Sequence, residues 1–321
     1  MKNILVVMPV QEAHRRYLEE IGAGCRFTYA DVQEVTLGQV CDAEIIFGNP
    51  APHLVAQSRK LKWLQLNSSG ADAYCKPGVL QPGTLLTCAT GGYGLTVSEG
   101  LVAMSYVLCR KLDLYLRNQE KHLWQPEGSV SSIWNSTTLV IGLGDIGAEY
   151  GQRMKALGSH VIGIRRRPGQ KPEWLDELYG MERLEELLPR ADFVTLALPS
   201  TPQTYHLMDE ARMRRMKPGA FLLNGGRGDA VDCDALNRLL REGKSLGGAG
   251  LDVTEPEPLP SDHPLWDAPR CIITPHVAGG FFLPETQERV VRIAGENLKR
   301  FLSGDHRNLQ NQVDFSTGYR K

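Results

Sequence analysis

The chain has 321 residues, of which 42% are hydrophobic and 23% charged, enough for two domains that each bury a core in an ordinary globular protein. A formal net charge of −1 gives no electrostatic reason to expect nucleic acid or a membrane surface as partner. The seven cysteines are scattered and include no CxxC pair, which argues for reduced thiols in a cytoplasmic protein and against a disulfide framework or a metal site.

The first apolar run, ILVV (4–7), is broken by Pro9 and followed by QEAHRRYLEE, so it is read as a buried strand and not as a signal segment. Further strands are expected at 43–47, 62–66, 85–87, 139–142, 160–164, 193–198, 220–224, 248–252 and 271–274. Helix-length segments separate most of them, which predicts parallel sheets covered by helices on both faces. Two long helices stand out. One starts at the capping-box pattern Thr96-Val-Ser-Glu99 and carries Leu101, Met104, Val107, Leu108 and Leu112 at helical spacing. The other starts after Pro284, carries Val290, Ile293, Ala294, Leu298 and Phe301, and stops at Gly304. They are read as crossings between two domains, residues 1–98 with 286–321 and residues 99–285. The tail after Gly304 is polar and is read as partly disordered or as reaching a partner subunit. No segment approaches the length of a transmembrane span.

Gly142-Leu-Gly144-Asp145-Ile146-Gly147 follows one predicted strand, opens a helix and is followed by another strand. In that setting the glycines allow a tight turn, approach of backbone to a pyrophosphate and close packing of helix on strand. The helix N-terminus adds unpaired N–H groups and the positive end of its dipole. An acid about twenty residues on would bind the adenine ribose hydroxyls of NAD. Arg165 stands there instead, followed by Arg166 and Arg167. A guanidinium cannot accept from a hydroxyl but pairs well with a 2′-phosphate, so NADP is the expected cofactor, with NAD left open.

Ligands of open α/β sheets bind beyond the carboxyl ends of the strands. Three successive strands end there in charged groups: Arg227 after AFLLN and Gly225-Gly226, Glu255 and Glu257 after GAGLD252, and His276 after CIIT and Pro275. The trio suits reduction of a 2-oxo acid. An arginine can hold the carboxylate and polarise the carbonyl, and a histidine can donate and recover a proton. A carboxylate beside that histidine would hold its tautomer. Taken singly, each has a bland reading as a solvated loop residue.

NGGRG (224–228), GLDVTEPEPL (250–259) and TPHVAGG (274–280), after GLGDIG, resemble the D-isomer-specific 2-hydroxyacid dehydrogenase family, most nearly its glyoxylate/hydroxypyruvate reductases. The resemblance implies two doubly wound parallel-sheet α/β domains, a Rossmann NAD(P)-binding domain inserted into a flavodoxin-like substrate domain. It implies Arg227 as the substrate-binding arginine, His276 as the acid/base and Glu257, not Glu255, as its partner. It also implies Asp252 and Thr96 near the nicotinamide, and Pro199, Ser200 and Thr204 beside the adenine ribose. Asn224, Gly225, Gly226 and Gly279 join the cofactor set, and Ser69 and Gly70 hold the substrate carboxylate. A homodimer is the family expectation. The serine-rich EGSVSSIWNSTT (127–138) departs from the family's tryptophan-rich segment; its Trp134 is read as packing or as a pocket wall. Two readings stay open beside the NADP-preferring reductase of a small 2-oxo acid. One is an NAD-dependent member acting on a larger 2-oxo acid, and the other a cofactor-sensing, corepressor-like interaction protein on the same fold.

Overall fold

A computed structural model describes residues 1–315 and the backbone of 319–320. The chain divides into two compact units, residues 1–93 with 281–321 and residues 94–280. These limits lie a few residues before those drawn from the helix patterns, because the first long helix begins at Gly94 and belongs wholly to the second unit.

In the first unit, β1 (Asn3–Val6), β2 (Arg26–Tyr29), β3 (Ile45–Phe47), β4 (Trp63–Gln65) and β5 (Leu85–Thr87) form one parallel sheet in the order β2-β1-β3-β4-β5. This is the flavodoxin-like order. Leu5, Ile46, Leu64, Leu66 and Leu86 fill its core. Helix Pro284–Leu302 buries Val290, Val291, Ala294, Leu298 and Phe301. Phe301 stacks on the fully buried Trp63, with ring centroids 5.1 Å apart. A buried polar chain pins the same helix. Trp63 Nε1 donates to Thr87 Oγ1 (2.8 Å), and Thr87 Oγ1 (2.7 Å) and Asn297 Nδ2 (2.8 Å) both donate to Gln65 Oε1. Such groups are costly to bury unless each finds a partner. The tail does not stay loose as its polarity suggests. Leu309 and Val313 are buried, Cys88 N–H donates to the Asn311 carbonyl (3.1 Å), and Asn311 Nδ2 donates to the Thr90 carbonyl (2.7 Å). Residues 316–318 and 321, the end of that tail, lie outside the described residues.

In the second unit, β6 (Thr137–Ile141), β7 (His160–Ile164), β8 (Glu177–Tyr179), β9 (Phe193–Leu196), β10 (Ala220–Asn224), β11 (Leu246–Leu251) and β12 (Cys271–Ile273) form a parallel sheet in the order β12-β11-β10-β9-β6-β7-β8. Counted from β6, this is the Rossmann order with one added strand, and it reverses direction between β6 and β9. Helix Gly94–Cys109 crosses the glycine-rich end of the sheet. A side chain at Gly225 would meet Val97 and Leu101, and one at Gly250 would meet Met104. Ser136, Thr138 and Ser159 form a buried hydroxyl cluster, with Ser159 Oγ 3.0 Å from Ser136 Oγ and 2.8 Å from Thr138 Oγ1. No helix among the described residues is long and apolar enough to cross a membrane.

Strands β2 (RFTY) and β8 (ELY) escape the sequence pattern because they are short and mix polar with apolar residues; both are edge strands with no fully buried residue. β8 is held by charge instead. Glu177 accepts from Arg190 Nη2 (2.5 Å), Tyr179 Oη (2.6 Å) and His160 Nε2 (2.7 Å). Burial alone raises the Glu177 carboxyl, but these hydrogen bonds outweigh it and bring the group down to about 2. A carboxyl depressed in the folded state stabilises the protein above its unfolded value of about 4.3, and that contribution is lost as pH falls through the folded value. Glu177→Gln is therefore expected to lower stability by about 2 kcal/mol at neutral pH. In urea denaturation at stepped pH, the gap to wild type should close from about pH 4.5 downward; a gap of constant size would exclude this ionic origin.

Candidate active site

β6 ends at Ile141 and the chain turns at Gly142, whose φ is 99°. A Cβ on Gly147 would lie 1.9 Å from the Gly142 carbonyl oxygen, so glycine alone lets helix Asp145–Ala156 close on the strand. A Cβ on Gly144 would meet nothing within 4 Å, and no side chain caps this helix. The helix therefore presents an uncovered positive end beside open space, which fits a pyrophosphate. Ile146 lies in its first turn. The Asp145 carboxylate turns to another helix: its Oδ2 accepts the Gly94 N–H at 2.7 Å. The capping-box reading at Thr96 is accordingly corrected. The helix starts two residues earlier, and Thr96 Oγ1 donates to the Ala278 carbonyl (2.9 Å).

Arg165 leaves the end of β7 with its N–H on the Tyr179 carbonyl (3.2 Å). Its guanidinium donates to the Gln170 carbonyl (3.0 Å), while its Nε is buried without a hydrogen-bond partner. Arg166 and Arg167 are exposed. After β9, Ser200 donates to the Asp229 carboxylate, and Thr204 Oγ1 donates to the Pro199 carbonyl (2.7 Å).

The three neighbouring strand ends are joined main chain to main chain. Asp252 N–H donates to the Asn224 carbonyl (3.0 Å), Thr274 N–H to the Leu251 carbonyl (2.9 Å), and His276 N–H to the Asp252 carbonyl (2.8 Å). Buried Asn224 folds the Arg227 turn, donating to the Arg227 carbonyl (2.8 Å) and accepting from Gly226 N–H (3.1 Å). Gly228 lets this turn touch the next loop, since a Cβ there would lie 1.9 Å from the Thr254 carbonyl oxygen. Arg227 is half-buried, and its Nη1 donates to the Gly226 carbonyl (3.0 Å).

His276 Nδ1 lies 2.7 Å from Glu257 Oε1. Glu255 pairs with His206 instead, at 2.8 Å. A carboxylate only accepts, so the proton between His276 and Glu257 sits on Nδ1 and leaves Nε2 for other chemistry. Both side chains are more than 40% exposed. His276 occupies the left-handed region, with φ of 52°. What holds it there is Asp252, only 3% exposed, whose Oδ1 accepts from Thr274 Oγ1 (2.7 Å), Val277 N–H (3.0 Å) and Ala278 N–H (3.1 Å). Gly279 follows directly. The sequence placed Asp252 beside a ligand, and this clamping of the His276 segment has no signature in a linear pattern.

In the first unit, Ser69 and Gly70 follow β4 in a turn where Ser68 Oγ donates to the Gly70 carbonyl (2.7 Å). Their own main-chain N–H groups have no protein acceptor among the described residues. Trp134 is neither buried packing nor an enclosed wall. It is 73% exposed and rests an edge on Gly158.

The description "D-isomer specific 2-hydroxyacid dehydrogenase, NAD binding domain" matches residues 102–278. A glyoxylate reductase of Korarchaeum cryptofilum is 33% identical over 280 residues, 84% of this chain and 80% of that protein. A D-isomer specific 2-hydroxyacid dehydrogenase family protein from Aeromonas salmonicida superposes with a TM-score of 0.86 at 32% identity, covering 98% of this chain and 99% of that one. An NADPH-dependent glyoxylate/hydroxypyruvate reductase from Sinorhizobium meliloti, solved with NADP and sulfate, gives 0.83 at 25% identity, over 99% and 100% of the two chains. The chain belongs to the D-isomer-specific 2-hydroxyacid dehydrogenase family. It is an oxidoreductase that works with a nicotinamide cofactor on a 2-hydroxy or 2-oxo acid.

Asp252→Ala would leave three part-buried donors without their acceptor. A loss of about 2–4 kcal/mol is expected, read as a lower melting temperature; an unchanged melting temperature would show that the clamp is not needed.

Proposed function

We propose that the protein is an NADP-preferring reductase of small 2-oxo acids, of the glyoxylate or hydroxypyruvate type. The observation that carries the reaction is the His276–Glu257 pair, on a strand end two strands from Arg227 and on the same sheet edge as the glycine loop. The nicotinamide, when bound, supplies the hydride. The 142–147 loop holds the pyrophosphate, and Asn224, Gly225, Gly226, Asp252, Thr96 and Gly279 complete the cofactor's surroundings. Arg227 holds the substrate carboxylate and polarises its carbonyl. In the first unit, the N–H groups of Ser69 and Gly70 are donors for a substrate carboxylate. His276 delivers a proton from Nε2 to the carbonyl oxygen while Glu257 keeps Nδ1 protonated.

For the cofactor, Arg165 and Arg166 support a 2′-phosphate, since no acid is there to accept from ribose hydroxyls. Pro199, Ser200 and Thr204 lie beside the ribose in this reading. The names of the Korarchaeum and Sinorhizobium relatives support a two- or three-carbon oxo acid over a larger one.

The test follows loss of reduced-cofactor absorbance with NADPH and NADH against glyoxylate, hydroxypyruvate, pyruvate, phenylpyruvate and 2-oxoisocaproate. The expected result is a clear NADPH preference with the smallest acids turned over best. Arg165→Ala should cut that preference about tenfold, and His276→Asn, which tolerates the left-handed backbone, should lower turnover by about 10² or more. Equal use of both cofactors would reject the arginine assignment, and wild-type turnover in His276→Asn would reject the acid/base assignment.

We also propose a homodimer joined through the second unit. Leu112, Leu116, Leu123 and Trp124 are 45%, 60%, 49% and 103% exposed, an apolar run that water alone would leave uncovered. Size-exclusion with light scattering should give twice the chain mass, and Leu116→Glu should give monomers; a monomeric wild type would overturn this.

A further inference from the structure

Asp145 stands in an electrostatically awkward place. If the 142–147 loop cradles a pyrophosphate, an acid in the first turn of its helix opposes the anion. The dipole of its own helix favours an acid there only while no anion occupies that end. In the structure its Oδ2 accepts the N–H of Gly94, the first residue of helix Gly94–Cys109, at 2.7 Å. A Cβ on Gly94 would lie 2.4 Å from Asp145 Oδ1 and 2.8 Å from its Cγ, so the carboxylate reaches the main chain only because residue 94 has no side chain. The negative charge thus meets the positive end of a second helix, where it is favourable.

That second helix matters to the whole site. Its Ser105 hydroxyl lies 2.9 Å from the buried Tyr150 hydroxyl on the glycine-loop helix, a second tie between the two. Its Val97, Leu101 and Met104 lie where side chains at Gly225 and Gly250 would be, against the strands that lead to Arg227 and Asp252. Gly94 is also where the chain enters the second unit. The Asp145–Gly94 bond therefore sets where the glycine loop stands against the helix that backs the rest of the site.

We infer that Asp145 is a positioning residue for the cofactor: it holds the 142–147 loop by capping helix Gly94–Cys109, and cofactor affinity depends on that cap and not on the acid's charge. The inference rests on the reading of 142–147 as the pyrophosphate loop. NADPH and NADH fluorescence titrations of the full chain test it without turnover. Asp145→Ala should raise the Kd for both cofactors about fivefold and leave their ratio unchanged. Asp145→Asn still accepts from Gly94 N–H and has lost the charge, so it should bind at least as tightly as wild type. Gly94→Ala, which pushes the carboxylate away from the opposite side, should weaken binding as Asp145→Ala does, and serves if the latter fails to fold. Wild-type affinity in Asp145→Ala, or an Asp145→Asn as weak as the alanine variant, overturns the inference. A wild-type chain that binds neither cofactor overturns the pyrophosphate reading itself and this inference with it.

Discussion

The placement of His276 depends on one buried carboxylate. Asp252 stands at the end of β11, receives the chain of β10 through its N–H and that of β12 through its carbonyl, and spends its side chain on Thr274, Val277 and Ala278. A carboxylate so enclosed is tolerated only because every donor around it is satisfied by it. The left-handed backbone of His276 costs free energy that a free loop would shed, and the clamp offsets it. From this follows the direction of the imidazole, and with it the Nδ1 contact to Glu257.

A second constraint is closeness of backbone at the sheet's carboxyl edge. Loops after adjacent strands touch through main-chain atoms at Gly226 and Gly228, where any side chain would collide. Such contact makes the edge stiff without ordinary side-chain packing, and it leaves the helix end at Gly144 open. Charged groups can then emerge from three loops and hold their spacing. The polar side chains of those loops, Asn224, Ser200 and Thr204, are largely engaged in holding main chain or one another.

Much of this was legible from local pattern. The interior strands show as apolar runs because both faces are buried, and the order of glycine loop, arginine, acid and histidine along the chain marks the family. The edge strands β2 and β8 were not legible, since RFTY and ELY carry no apolar run. The capping box at Thr96–Glu99 misled for a related reason: Thr96 has a better partner in the Ala278 carbonyl, distant in sequence, and an acid from another helix takes the cap. The serine-rich 127–138 segment departs from the family's pattern, and its Ser136 and Thr138 hydroxyls close on Ser159 in the interior.

The sequence by itself determined the architecture, the glycine-rich turn after β6 and the placement of Arg227, Glu257 and His276 after strand ends, because periodicity, glycine spacing and strand-end position are local properties. Only the tertiary structure decided which partner each group takes. It gave Glu255 to His206, turned Asp145 from its own loop to Gly94, and made Asp252 a clamp. Those choices depend on distances between atoms far apart in the chain, and a hydrogen bond of 2.7 to 3.1 Å is decided by the fold's three-dimensional fit.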